Sequence, residues 1–324
     1  MKIIAILLNP TIDQIYTINN FHVGGTFKVN DSIIYPVGKG ISFSLGIREL
    51  CKDKDIIKII AFIGKEDISL YSNFLSKRDI DHQFIKIKGK TRSNKTINDP
   101  IMGTTTHIRE KGFKVTSNDI DNLLKLLQTN VNKGDFVVFS GSIPSNVEND
   151  IYFRLIDISK KIGSTSILDT NGVPLIKGIK ANPEIIKPNL LELSQILNNP
   201  EINKLVFSDI FKSCKLIVKK AKTLLNEELK IILVTLGENG AILIKDGITL
   251  YGNVKVENVI DTVGSGDSFL AGFALNYFEK KELYDCFKNA IACGAANTLI
   301  PGPGIFKLGD VKKIIKNVKI FELN

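Results

Sequence analysis

A carboxylate follows two closely spaced glycines in Asp261-Thr262-Val263-Gly264-Ser265-Gly266-Asp267-Ser268-Phe269. A β-like run, 253–260, precedes this stretch and an apolar segment, 269–275, follows it. The context reads as strand, small-residue turn and helix start. Gly264 and Gly266 let the backbone turn tightly and approach a ligand closely. The unpaired N–H groups of a first helical turn, backed by the positive end of the helix dipole, suit an anion and above all a phosphate. A carboxylate there is repelled by a phosphate unless it takes up a proton. Phosphoryl transfer from ATP to an alcohol needs both features. Gly264, Ser265 and Gly266 are the candidate donors for the developing charge, and Asp267 is the candidate base. The competing reading makes Asp267 or Ser265 a helix N-cap. A Walker A loop is excluded because no G-x-x-x-x-G-K-[ST] occurs. A dinucleotide fingerprint is excluded because Phe269 takes its third glycine position.

Four further places could carry chemistry. Asp13 follows the apolar run Ile3 to Leu8, where ligands bind at the carboxyl ends of strands in open α/β sheets. Alone such a residue is more often a turn residue. Gly38-Lys39-Gly40 opens a helix-like segment and offers backbone N–H groups with one cation. Arg92 is a planar bidentate donor suited to a phosphate, or else an exposed β-sheet arginine. Asn189 and Glu192 are three apart, so on a helix they share a face. They fit a hydrated magnesium ion or a capping box equally well.

These residues hang on an alternating strand–helix pattern. Near-continuous apolar runs at 2–8 and 136–139 read as strands buried on both faces of a parallel sheet. Further strands fall at 56–63, 166–168 and 231–235, with helices near 148–162, 208–226, 269–279, 282–299 and 309–317. Two β-rich blocks, approximately 14–36 and 81–110, lack helical periodicity and interrupt this pattern. They are expected to build a small separate β-sheet on one domain spanning 1–324.

Net charge is +9, but the lysines are dispersed, without a basic tail or an aromatic-interleaved stripe. Nucleic acid is therefore not expected as a partner. No apolar run reaches the roughly 18 residues of a membrane span. Ile3 to Leu8 is too short for a secretory h-region, so a cytoplasmic location is expected. The four cysteines show no C-x-x-C spacing, and the three histidines form neither a metal cluster nor a triad.

The stretch Asp261 to Phe273 resembles the C-terminal signature of the PfkB, or ribokinase-like, carbohydrate kinases. Lys187-Pro188-Asn189-Leu190-Leu191-Glu192-Leu193 matches that family's Lys-Pro-Asn-x-x-Glu-Leu letter for letter. Gly38-Lys39-Gly40 and Gly103 to His107 follow the family outline, and Asn9 to Asp13 and Gly141-Ser142-Ile143-Pro144 resemble its branch of 1-phosphofructokinases and tagatose-6-phosphate kinases. The resemblance covers Asn9 to Asn297. It implies a three-layer α/β/α sandwich with a mostly parallel sheet and a small β lid, often a homodimer contact. It also implies ATP with Mg²⁺, and a ketohexose phosphate as acceptor. Fructose 1-phosphate, giving fructose 1,6-bisphosphate, comes first, with tagatose 6-phosphate or fructose 6-phosphate as alternatives.

The resemblance makes Asp13, Gly38, Lys39, Ser42 and Ser142 sugar contacts. Arg92 holds the sugar's own phosphate, with Lys28 assisting across a dimer. Lys187, Asn189, Thr235, Gly237, Gly240 and Asn297 border the nucleotide, and Asn189 and Glu192 hold magnesium through water. Val37 and Ser42 depart from the family's Gly and Asn, and a Glu is usual at His107. A non-catalytic sugar-phosphate sensor is the reading of another class.

Overall fold

The computed structural model describes residues 1–205 and 207–323. In chain order the elements are β1 (Ile3–Leu7), β2 (Thr11–Thr17), β3 (Asp31–Val37), α1 (Lys39–Leu50), β4 (Ile57–Gly64), α2 (Ile68–Ser76), β5 (Asp81–Ile87), β6 (Ser93–Asp99) and β7 (Thr104–Arg109). Then come α3 (Ser117–Asn130), β8 (Phe136–Ser140), α4 (Ile151–Ile162), β9 (Thr165–Asp169), α5 (Gly172–Gly178), β10 (Ile185–Ile186), α6 (Leu190–Ile196) and α7 (Ile210–Ala221). The chain closes with β11 (Ile231–Thr235), β12 (Ala241–Lys245), β13 (Ile248–Asn253), α8 (Ser265–Phe278), α9 (Leu283–Asn297), α10 (Leu308–Ile314) and β14 (Lys319–Glu322).

The large sheet runs β14-β13-β12-β11-β10-β9-β8-β1-β4-β5. From β11 to β5 neighbouring strands are parallel, while β12, β13 and β14 add an antiparallel edge. β1 lies inside it, and both faces of its apolar run are covered. Ile3, Ala5 and Leu7 pack with α1, α2, α8, α9 and α10, whereas Ile4, Ile6 and Leu8 pack with α3, α4, α5, α6 and α7. The sandwich therefore has the three layers expected.

A second sheet, β3-β2-β6-β7, stands apart. It holds less of the chain than the sequence suggests. The strand 81–87 belongs to the large sheet, parallel to β4 with Lys58 opposite Asp81 and Gly64 opposite Ile87. Its half-exposed alternation is that of an edge strand, which a separate sheet would also show. The crossover through α2 decides between them, because a strand–helix–strand unit returns parallel beside its first strand. The second block thus contributes only 93–109. The β-like run 253–260 is also shorter than read: β13 ends at Asn253, and 254–264 is loop, held where Ile260 donates to the Thr298 carbonyl. β14, which the sequence reading omits, pairs antiparallel with β13. Among the described residues no helix is long and apolar enough to cross a membrane.

Candidate active site

The N-terminus of α8 points out at the carboxyl edge of the large sheet. Its cap, Gly264, is left-handed at φ 81°, a region that favours glycine. A Cβ there would collide with the backbone of Pro303 and Gly304, and one at Gly304 would collide with Ser42. The turn 302–304 is thus wedged behind the starts of α8 and α1. The N–H groups of Asp267 and Ser268 donate to the Gly264 carbonyl, and that of Ser265 to Thr262. Gly264 and Gly266 keep theirs without a protein acceptor among the described residues. Of the expected anion donors, Ser265 is therefore turned inward, and its side-chain oxygen is buried without a partner.

Asn297, read as a nucleotide neighbour, also braces the start of α8. It is fully buried; its side chain accepts from the Ser268 hydroxyl at 2.7 Å and donates to the Val263 carbonyl at 2.9 Å. The amide thus ties the first turn of α8 to the loop residue just before Gly264. Asn297→Ala is expected to cost roughly 2–6 kcal/mol, because two buried groups lose their partners at about 1–3 kcal/mol each. Denaturant unfolding measures it; a loss under about 1 kcal/mol would mean that water replaces the amide.

Behind α8 lies a charged cluster assembled from four elements. Asp169, at the end of β9, is almost fully buried. Its Oδ1 meets Lys39 Nζ, from the first turn of α1, at 2.9 Å and Lys187 Nζ, just past β10, at 3.2 Å. Burial raises its pKa, but the Lys187 and Lys39 ammonium groups outweigh that and hold it below the ordinary aspartate range. Its Oδ2 is buried without a partner. Lys39 is held above the usual lysine range: burial works against its charge, but Asp169, Asp267 and Glu192 overcome this. Lys39, expected on the sugar, thus stands beside Asp169 and Asp267.

Asp267 is buried beside these groups. Burial pushes its carboxyl up to about 7; Lys39 and Lys187 pull it down, Asp169 pushes it up, and the Ser42 hydroxyl favours its ionised form. A carboxyl near 7 is matched to taking a proton at neutral pH. Asp169 is the site residue that sequence reasoning missed. It stands at a strand end just as Asp13 does, but Asp169-Thr170-Asn171-Gly172 reads locally as a turn.

Asn189 and Glu192 form a full capping box. Glu192 N–H donates to Asn189 Oδ1 and Asn189 N–H to Glu192 Oε2, both at 2.8 Å. One carboxylate oxygen of Glu192 remains, and burial raises this carboxyl above its ordinary value. Asn189 lies beside Thr235 across a parallel bridge, so the ends of β10 and β11 share one rim. The turn after β11 carries Gly237 and Gly240, both with positive φ. No group of three potential ligands among His, Cys, Asp and Glu occurs among the described residues.

The small sheet supplies a second cluster. Asp13 accepts from Thr11 at 3.0 Å and from Asn94 at 3.1 Å. Burial raises its pKa, against those bonds and the charges of Arg92 and Arg109. Arg92 donates to the carbonyls of Asn9 and Pro10, both at 3.1 Å. The Asn9 amide in turn donates to the Ser142 hydroxyl at 3.0 Å. Asn9 therefore locks Arg92, Asp13's strand and Ser142 to the end of β1. Gly38 precedes α1 with φ 141°. Lys28 lies exposed in the loop after β2, with no contact to either cluster among the described residues.

A helix start with two free N–H groups, a buried carboxyl poised near neutrality and two lysines at the carboxyl edge of a parallel sheet suit phosphoryl transfer on an α/β/α fold. The chain belongs to the pfkB family of carbohydrate kinases, whose profile matches residues 19–307. It is 27% identical over 321 residues to the 1-phosphofructokinase of Bacillus subtilis, covering 99% of this chain and 100% of that one. It is 29% identical over 323 residues to the 1-phosphofructokinase of Borreliella burgdorferi, covering 99% of each. In fold it is similar to the phosphofructokinase-2 of Escherichia coli, solved in complex with potassium, with a TM-score of 0.85 at 23% identity over 97% of this chain and 98% of that one. The chain is accordingly a sugar phosphotransferase.

Proposed function

We propose that this carbohydrate kinase transfers the γ-phosphoryl group of ATP to a ketohexose phosphate, with fructose 1-phosphate as the first acceptor and fructose 1,6-bisphosphate as its product. Tagatose 6-phosphate and fructose 6-phosphate are the alternatives. The observation that carries the chemistry is the Asp267 carboxyl, buried at the α8 N-terminus and pushed up to about 7. The substrate reading leans on two relatives, aligned along nearly their whole length, that are named 1-phosphofructokinase.

In this reading Asp267 takes the proton of the attacking hydroxyl. The free N–H groups of Gly264 and Gly266 receive the developing phosphoryl charge, with Lys39 and Lys187 beside them. A Cβ on Gly266 would lie 3.4 Å from Lys187 Nζ, which places this lysine against the helix start. ATP, with Thr235, Gly237 and Gly240 along its nucleotide, supplies the phosphoryl group when bound. The donor set fits hydrated magnesium: Glu192 keeps one oxygen, and Asp169 Oδ2 and Ser265 Oγ are buried without protein partners. Asn189 orients Glu192 for that role. Asp13, Gly38, Ser42 and Ser142 orient the sugar, and Arg92 holds its phosphate. The chain acts as one domain, 1–324, in the cytoplasm. The small sheet covers the sugar as a lid and joins a second copy, which brings Lys28 across.

ADP release with Mg-ATP tests this over fructose 1-phosphate, fructose 6-phosphate, tagatose 6-phosphate, fructose, ribose and adenosine. The expected result is turnover on one phosphorylated ketohexose well above that on fructose. Turnover only on an unphosphorylated sugar or nucleoside would overturn the substrate class. Binding of a sugar phosphate without any ADP release would favour a sensor, the reading that the Val37 and Ser42 departures keep alive.

A further inference from the structure

One cation of the small sheet has no role in the site described so far. Residues directly opposite one another on neighbouring strands present their side chains to the same face. Asp13 is opposite Tyr35 on β3 and Asn94 on β6, and Asn94 is opposite Arg109 on β7. Tyr35, Asp13, Asn94 and Arg109 therefore form one row across all four strands. The 3.1 Å bond from Asn94 to Asp13 confirms the shared face. Glu110, the next residue along, binds Ser93 and Lys95 on the opposite face.

The row has a direction. At its inner end a Cβ on Gly302 would lie 3.0 Å from Tyr35 Cζ, so Tyr35 abuts the 302–304 wedge behind α8. At its outer end stands Arg109, two inter-strand spacings or roughly 10 Å from Asp13. Arg92, two residues before Asn94, is its diagonal neighbour, at a separation of roughly 7–8 Å for such pairs. The two guanidinium groups repel each other, and Asp13 feels both. Arg92 is tied to carbonyls through Nε and Nη2 only. The Arg109 side chain is exposed and has no hydrogen bond or ion pair among the described residues. Asn94 Oδ1, between them and Asp13, is buried without a partner. Two like charges on one face of the sheet, with a buried unpaired acceptor beside them, suit a dianion with a hydroxyl next to it.

Resting on the ketohexose-phosphate reading above, we infer that Arg109 is a second arm of the substrate's phosphate clamp and sets selectivity for phosphorylated over unphosphorylated sugars. Arg92 is the fixed arm, braced by the end of β1. Arg109 is the mobile arm, swinging from the last residue of β7. Asn94 places a hydroxyl of the sugar between the clamp and Asp13.

Steady-state kinetics with Mg-ATP test the assignment on the best phosphorylated ketohexose and on fructose, with Arg109→Gln, Arg109→Lys and Arg92→Gln. A charge-assisted hydrogen bond contributes about 1.5–3 kcal/mol, so Arg109→Gln is expected to raise KM for the phosphorylated sugar roughly 10–100-fold. The preference for it over fructose should fall by the same factor, with kcat changed far less. Arg109→Lys should recover part of the loss, since it keeps a point charge without the planar fork. Unaltered thermal melting shows that the variants fold. An unchanged KM for the phosphorylated sugar in Arg109→Gln, alongside a raised KM in Arg92→Gln, overturns the Arg109 assignment alone. Equal KM increases for both sugars also overturn it, because that removes the phosphate from the effect. A wild-type protein with no preference for phosphorylated sugars defeats the substrate reading, independently of either arginine.

Discussion

Asp267→Asn is expected to lower kcat by about 10²–10⁴-fold, the usual contribution of a positioned general base. The amide keeps the shape and can still accept from Ser42, so the loss belongs to the proton and not to packing. In the parent protein, kcat/KM should fall about tenfold for each unit of pH below about 7, where burial has pushed the Asp267 carboxyl, and level off above. The variant should lose that limb. Stability moves the other way. A carboxyl raised from 3.8 to about 7 holds more protons in the folded than in the unfolded chain across that interval. Its contribution to stability therefore declines as pH rises from 3.8 towards 7 and stays low above it. Asp267→Asn removes this cost, so its denaturant midpoint at pH 8 should equal or exceed that of the parent. Retention of most activity at pH 8, or an acid limb that persists in the variant, would take the base away from Asp267.

What the sequence could show follows from how local each feature is. β1 and β8 announce themselves because burial on both faces leaves only apolar letters. The Gly264–Asp267 turn is legible because a tight turn, an anion site and a carboxylate are all written within a few residues. Asn189 and Glu192 are legible as a pair, and the helix-cap and ligand readings both survive, one through each end of the Glu192 carboxylate. β5 could not be assigned, since an edge strand of the large sheet and a strand of a small sheet carry the same alternation. The bracing contacts of Asn297 could not be read, since its partners lie 29 and 34 residues away, and no spacing rule reaches that far. Arg109 escaped notice because its place opposite Asn94 depends on the β6–β7 register. Asp169 escaped for the same reason. Its significance comes only from the two lysines that α1 and β10 bring to it.

Those two lysines make Asp169→Asn the second large effect. The substitution leaves Lys187, almost fully buried, and Lys39 without their carboxylate. Removing one partner of a buried ion pair costs about 3–5 kcal/mol, because the remaining charge stays desolvated, and denaturant unfolding at pH 7 should show that loss. The parent's dependence on pH has a defined sign. A carboxylate held below its ordinary value of 3.8 contributes stability above that value and loses it as pH falls through its folded-state pKa. The part of the acid sensitivity that comes from Asp169 should vanish in the variant. Activity reports a second consequence. Asp169 pushes Asp267 up by like-charge repulsion, and it also occupies the lysines that pull Asp267 down. With Asp169 neutral, both influences favour the ionised Asp267. The acid limb of kcat/KM should therefore move to lower pH, and the plateau should drop because a weaker base takes the proton less readily. A variant that loses stability while its acid limb stays near 7 would confine Asp169 to holding the lysines and separate it from the strength of the base.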